Sequence, residues 1–446
     1  MIADPVFPFR ERRERLLAQM LAAGGGVAVV PTAPERERNR GTLYPYRPDS
    51  QFFYLSGFKE PEAALVLIAG ETPRHLLFCR ARDGEQEIWT GHRHGPEAAA
   101  ERFGFDEAWP MDQFDRKLPS LLANQPALWT GLAANPEWDK RILAALGQAR
   151  ADARAGTTTP RTVHEISAVL DEMRLVKDAF EIAIMRRAGE ISAAAHCQAM
   201  RAARPGRAEY EIEAELLRVF RASGSPFPAY PSIVASGPNA CVLHYADNDR
   251  RMLDGELLLI DAGCELDGYA ADITRTFPVN GRFDGPQRDL YQLVLAANHA
   301  ARAAVRPGNG WNAPHEAAVA ILTQGFVDLG LLAGATENLI ETEAYRRFYM
   351  HRTGHWLGMD VHDAGQYKIG GQWRPLVPGM VFTIEPGCYI RAADDVPKAF
   401  WNIGIRIEDN ILVTAEGGEY FTDGAPRETD EIEALMRDRK RISVNV

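Results

Sequence analysis

The sequence predicts two domains of different class, an α/β unit over residues 1–173 and an α+β unit over 174–446. Three observations carry this. Short apolar runs alternate with helix-period stretches in the first part. Long helical patterns and then strand-like pieces fill the second. Between them, over Ala149–Arg161, the chain turns small and polar (AGTTTPR). A length of 446 residues also suits two or three domains at a prior of ~150 residues each.

In order along the first part, the spacing predicts a helix near Phe9–Leu21 and strands at Val27–Val30, Ala64–Ile68 and His75–Cys79. Helices follow near Pro96–Phe103, Phe114–Leu122 and Pro136–Leu146. Three helical stretches come after the polar segment, at Val163–Met173, Asp178–Ala203 and Ala208–Ala222, and the boundary falls near Arg174. The second of these opens with Asp178 as a cap, carries Ile182, Ala188, Ile191 and Ala195, and stops before Pro205-Gly206. Strands are expected at Ser232–Ala235, Leu257–Asp261, Ala271–Phe277, Met380–Ile384 and Ile403–Ile407, with helices around Pro286–Val305 and Asn312–Leu329. No internal repeat or low-complexity tract interrupts this pattern.

Composition narrows the function. Hydrophobic residues make up 46% and charged residues 25%, as in ordinary globular proteins. A net charge of −11 argues against a broad cationic footprint for nucleic acid. The five cysteines, Cys79, Cys197, Cys241, Cys264 and Cys388, are widely spaced without a CxxC pair, which fits a reducing cytoplasm and neither a disulfide framework nor a thiolate zinc cage. Met1–Gln19 carries Arg10, Arg12, Arg13 and Arg15 without a secretory pattern, and no apolar run approaches the ~20 residues that span a bilayer. Catalysis is therefore expected from acids, histidines and a metal.

The segment LLLIDAGCELDGYAADITRTF places Asp261 and Asp272 on two runs joined through Asp267-Gly268, a hairpin turn signal. With those two residues as the turn, Asp261 faces Thr274 and Gly263 faces Asp272. Side chains alternate along a strand, so the two aspartates become diagonal neighbours on one face, ~7 to 8 Å apart at the backbone. A turn one position earlier sets them directly opposite, and a three-residue loop puts them on opposite faces. Like charges side by side cost stability unless a cation offsets them.

Alone, such a pair also fits a solvated surface; other segments decide. In VFTIEPG, alternation puts Val381, Thr383 and Glu385 on one face, with Phe382 and Ile384 on the other. In IGIRIED it sets Ile403, Ile405 and Ile407 against Arg406 and Glu408. HRTGHWLGMDVHD adds His351, His355 and His362; Thr353-Gly354 and the missing glutamate exclude a zinc helix of the HExxH kind. Four carboxylates and a histidine suit two hard or borderline divalent ions, with Mn(II), Co(II), Fe(II) and Zn(II) all candidates. Two such ions can share and activate a hydroxide. Trp356, Cys264 and Cys388 read as packing residues.

The motifs LIDAGCELDGYAADITRTFPVNG, HRTGHWLGMDVHD, TIEPG and GIRIEDN, in that order, resemble the aminopeptidase P group of the pita-bread metallopeptidases, and YPYRPDSQFFYLSGFKEPEAALVLI resembles its non-catalytic N-terminal domain. The resemblance implies a pita-bread catalytic domain and makes Asp261, Asp272, His355, Glu385 and Glu408 the ligands of two metal ions, Mn(II) foremost, with Asp272 and Glu408 bridging. It further implies that Glu385 shuttles the proton of a bridging water. His362, His244 and His351 stand on the substrate side, and Arg406 orients carboxylates or meets a substrate group. The reaction implied is hydrolysis of the first peptide bond of a chain whose second residue is proline. An Xaa-Pro dipeptidase (prolidase) is the nearest alternative. A metal-free binding module of the same fold is disfavoured because all five ligand positions are filled. The resemblance also implies a homodimer or homotetramer, in which the N-terminal domain shapes access and EIWTGHRHG around Trp89 reaches a neighbouring subunit's site.

Overall fold

The computed structural model describes residues 8–151 and 156–438. Residues 1–7 of the arginine-rich start, and 152–155 of the Ala149–Arg161 stretch, lie outside the described residues. The chain divides into two compact units, Met1–Met173 and Arg174–Val446.

The first unit is built on a mixed six-stranded sheet in the order Glu107–Pro110, Arg74–Cys79, Ala64–Ala69, Gly26–Pro31, Ala127–Thr130, Thr162–Glu165. The three central strands pair antiparallel, and the outer ones add in parallel. Val27, Val29, Val66, Ile68, Leu76 and Phe78 share a buried cluster with Phe114, Leu118, Leu122 and Ile142 from two helices. The helix Phe9–Ala22 buries Arg12 and Arg13. Arg13 donates to the carbonyls of Leu55 (2.9 Å), Phe103 (3.0 Å) and Gly104 (2.7 Å), and its Nε to His75 Nδ1 at 3.3 Å.

One expectation fails here. Val163–Met173 is not a single helix: Thr162–Glu165 pairs in parallel with Ala127–Thr130, and the helix runs Ser167–Leu175. An open sheet edge captures the β-branched Thr162-Val163, and the Glu165 carboxylate accepts the Ser167 N–H where the helix begins.

In the second unit Asp178 and Glu181 form a reciprocal capping box that starts the helix Ala179–Ala202. Its apolar face joins Glu209–Ala222, Gly285–Ala304 and Ala313–Asp328 in one large core. Against that core lie short antiparallel sheets: Ile233–Ser236 with Leu257–Asp261 and Thr274–Pro278; Val381–Ile384 with Asp409–Val413 and Gly418–Tyr420; and Gly387–Ile390 with Ile403–Arg406. Phe382, Ile384, Ile403, Ile405 and Ile407 enter the core as the alternation predicts. Among the described residues no helix is long and apolar enough to cross a membrane.

Candidate metal centre and active site

The hairpin register decides among the turn alternatives. Leu266 pairs with Tyr269 across Asp267-Gly268, and Asp261 pairs with Thr274. Asp267 and Gly268 both have positive φ (47° and 82°), as a two-residue hairpin turn of the primed type requires. The strand expected over Ala271–Phe277 is nevertheless interrupted; Tyr269–Ala270 and Thr274–Pro278 belong to different sheets. Asp272 sits in the gap. Its backbone is held by a side chain instead of a strand: Asn410 Oδ1 accepts its N–H at 3.1 Å and Asn410 Nδ2 donates to its carbonyl.

A second ladder delivers the histidine. The N–H groups of Thr383 and Glu385 donate to the carbonyls of His355 (3.0 Å) and Thr353 (2.9 Å), and Leu357 N–H donates to Val381 O at 3.1 Å. Thr353–Leu357 therefore runs antiparallel to Val381–Ile384. Gly354 is necessary to that approach: a Cβ there would stand 2.0 Å from the Thr383 carbonyl oxygen. Glu408 arrives through an isolated bridge to Thr274, whose hydroxyl donates to its Oε2 at 2.6 Å.

Asp261, Asp272, His355, Glu385, Glu408, Arg406, His244, His351 and His362 all line one cavity of about 1130 Å³. Asp272, His355 and Glu408 form its tightest group, with one ligand-type atom from each within 4.8 Å of the others. His355 Nε2 lies 3.4 Å from Asp272 Oδ2 and 3.8 Å from Glu385 Oε1. Arg406 Nη2 meets Asp261 Oδ2 at 2.5 Å, while its Nε is 3.9 Å from Glu408 Oε2. The shared strand face of Arg406 and Glu408 thus becomes one contact network. His362 stacks edgewise on His355, with ring centroids 4.3 Å apart.

His351 is tied into a polar chain. Arg406 Nη1 donates to the Tyr389 hydroxyl at 2.9 Å, and that hydroxyl is 2.8 Å from His351 Nε2. His351 Nδ1 is 2.8 Å from the Arg352 carbonyl, an obligate acceptor, so Nδ1 carries the proton and Nε2 accepts from Tyr389. Burial and then Arg406 push the His351 pKa down to about 3, in keeping with a neutral ring.

The acids outnumber the fixed positive charge. Burial, then Asp272, Glu385 and Asp261, push Glu408 well above the usual carboxylate range. Burial raises Glu385 to about 7 and Asp261 to about 6, against the pull of His355 on the first and Arg406 on the second. For Asp272 burial is outweighed by the hydrogen bond and charge of His355, and its pKa falls. The same contacts overcome burial at His355 and raise it to about 9. Tyr230, which has no signal in the sequence, places its hydroxyl 2.6 Å from Asp261 Oδ1 and 2.5 Å from Asp272 Oδ1. One phenolic proton cannot serve both carboxylates. Divalent cations fit this donor set: they would neutralise the crowded acids, and His355, whose Nδ1 lies 3.0 Å from the Trp356 carbonyl, would have its Nε2 free to serve as a ligand.

Thr274 and Asn410 likewise carry no site signal in the sequence, although the hairpin register names Thr274 as the partner of Asp261. Trp356 is fully buried, stacked on Tyr367, and Cys264 and Cys388 are buried packing residues, as expected.

A buried carboxylate and histidine cluster on the floor of a large cleft is the kind of centre that holds divalent cations in metal-dependent hydrolases. Residues 183–415 match the model of metallopeptidase family M24, and residues 9–129 match that of the aminopeptidase P N-terminal domain. The chain belongs to metallopeptidase family M24 and has its pita-bread fold. It is 44% identical to the Xaa-Pro aminopeptidase of Haemophilus influenzae, over 97% of either chain. The structure of Pseudomonas aeruginosa aminopeptidase PepP superposes with a TM-score of 0.96 at 48% identity, covering 98% of this chain and 99% of that one. A zinc-substituted Escherichia coli aminopeptidase P in complex with product gives 0.94 at 43% identity, covering 97% and 98%.

Proposed function

We propose that this chain is an Xaa-Pro aminopeptidase, hydrolysing the N-terminal peptide bond of peptides whose second residue is proline. The observation that carries the reading is the convergence of Asp261, Asp272, His355, Glu385 and Glu408 on one cleft in a chain 44% identical to an Xaa-Pro aminopeptidase. These five residues would hold two divalent metal ions, Mn(II) foremost. When bound, such ions lower the pKa of a water and polarise the scissile carbonyl.

The chain's own groups do the rest. Glu385 accepts a proton from the attacking water and returns it to the prolyl nitrogen as the C–N bond breaks. That nitrogen is a tertiary amide with no N–H to hold, so positioning relies on the carbonyl and on the free amino terminus at the acidic floor. His362 and His244 donate to the substrate carbonyl as it becomes tetrahedral. His351, kept neutral by burial and by the nearby Arg406 charge, stands on the substrate side, and Arg406 fixes Asp261. Ile233, Leu243, Val361, Trp311 and Tyr367 give the cleft an apolar wall suited to a pyrrolidine ring.

Five free, buried cysteines support a reducing, cytoplasmic setting. Trp89, 84% exposed beside an 82% exposed Ile88, supports a homo-oligomer in which this segment of the non-catalytic N-terminal unit contacts a second copy. The test is a panel of Xaa-Pro-Yaa, Xaa-Pro and Met-Ala peptides, assayed after chelation and after reconstitution with single metals. Metal-restored cleavage of Xaa-Pro-Yaa is the expected result. Preference for Xaa-Pro would make the enzyme a dipeptidase, and cleavage undiminished after exhaustive chelation would overturn the metal reading.

A further inference from the structure

The same cleft carries a group of opposite charge that the reaction above leaves unused. Lys368 and Trp373 are directly paired in the short hairpin Lys368–Ile369 and Gln372–Trp373, which turns at Gly370-Gly371 with positive φ at both (55° and 82°). Paired residues stand side by side on one face. Lys368 Nζ lies 4.2 Å from the Trp373 ring centroid, and the Arg352 guanidinium carbon lies 5.1 Å from the same ring. All three residues line the cavity that holds the acid cluster. Arg352 donates to Asn312 Oδ1, a neutral acceptor, and among the described residues no carboxylate pairs with Arg352 or Lys368.

The hairpin is fixed to the body of the unit. Arg374 N–H donates to Tyr367 O (3.0 Å) across the base of the hairpin, and Trp311 N–H to Arg374 O (2.8 Å) and Leu376 N–H to Asn309 O (2.8 Å) tie the chain after its second strand to the Asn309–Trp311 segment. Two cations without a carboxylate partner, both set against the Trp373 ring in the cavity, form a ready receptor for an anion in a protein of net charge −11.

A short peptide is a dipole, with an ammonium at its start and a carboxylate at its end. The ammonium has its place at the acidic floor. We propose that Arg352, Lys368 and Trp373 form a subsite for a substrate carboxylate beyond the penultimate proline, the C-terminus of a tripeptide Xaa-Pro-Yaa in the first instance. This rests on the Xaa-Pro aminopeptidase reading and adds to it a preference in length and charge.

The experiment compares Ala-Pro-Ala, its C-terminal amide, and Ala-Pro-Glu amide on the metal-loaded enzyme, Lys368→Met and the Lys368→Met/Arg352→Met double variant. The wild type is expected to show a lower KM for the acid than for the amide, a preference that shrinks as salt rises. Lys368→Met should raise KM for the acid about 3- to 10-fold more than for the amide, falling on KM more than on kcat. The double variant should bring the two KM values together. Recovery of low KM by Ala-Pro-Glu amide would extend the subsite to side-chain carboxylates. Equal wild-type KM values for acid and amide, or variants that shift both alike, overturn the subsite while leaving the peptidase reading intact. Failure of the wild type to cleave any of the three overturns that reading and the subsite with it.

Discussion

Both units bury charge, and they do it in opposite ways. In the N-terminal unit Arg13 is fully buried, and its guanidinium is spent on three backbone carbonyls and one neutral histidine. Burial lowers its pKa to about 9, still far enough above neutrality to keep the charge. The Arg13 donors there find the fixed dipoles of backbone carbonyls. In the C-terminal unit Asp261, Asp272, Glu385 and Glu408 crowd around Arg406 and His355, and the acids outnumber the basic groups. A buried charge matched by backbone is architecture; buried like charges left in excess mark a place for a ligand.

The largest break in this comparison comes from Glu408→Ala. Losing one of the proposed metal-binding carboxylates should remove most bound metal and lower kcat at least ~10²-fold, beyond what loss of an outer partner costs, while far-UV circular dichroism stays native. Full turnover with normal metal content would sink the site. Arg13→Met tests the other side. It strands three carbonyls in the interior and should cost about 3 kcal/mol in the urea transition of the N-terminal unit, with metal content per folded molecule unchanged.

Next comes pH. Burial and then Arg13 hold His75 at a pKa of about 4, below the ordinary histidine value of 6.5. As pH falls through 6.5 the unfolded chain takes up the proton first, so stability is lost progressively down to about pH 4, with a slope of up to ~1.4 kcal/mol per pH unit. His75→Gln should flatten that slope; an unchanged slope would show that other groups set it. The smallest effect is expected from Tyr230→Phe, which removes the hydroxyl shared by Asp261 and Asp272. Metal affinity should change by about 10-fold, measured by competition with a chelating dye, and identical affinity would show that the hydroxyl does not tune the site.

The legible parts of the molecule are those governed by local period. The Asp267-Gly268 turn fixes a register that sets Asp261 against Thr274, and alternation alone sorts Glu385 and Glu408 from their core-facing neighbours. Parts that depend on distant partners were not legible. The strand break at Asp272 is made by Asn410, far along the chain, and Tyr230 reaches the aspartates from a segment with no periodic signal. Nor does sequence reveal that Arg13 is buried, because its acceptors are carbonyls of Leu55, Phe103 and Gly104. Thr162–Glu165 carries no strand signal of its own, because only the adjoining strand Ala127–Thr130 makes it a strand.

Gly354 carries no charge and offers no side chain to ion or peptide, yet the geometry pivots on it. One added methyl would collide with the Thr383 oxygen and prise the segment bearing His355 away from its neighbour. The centre is thus disarmed most economically at a residue that has no chemistry of its own, and any survey of function confined to polar side chains would overlook it.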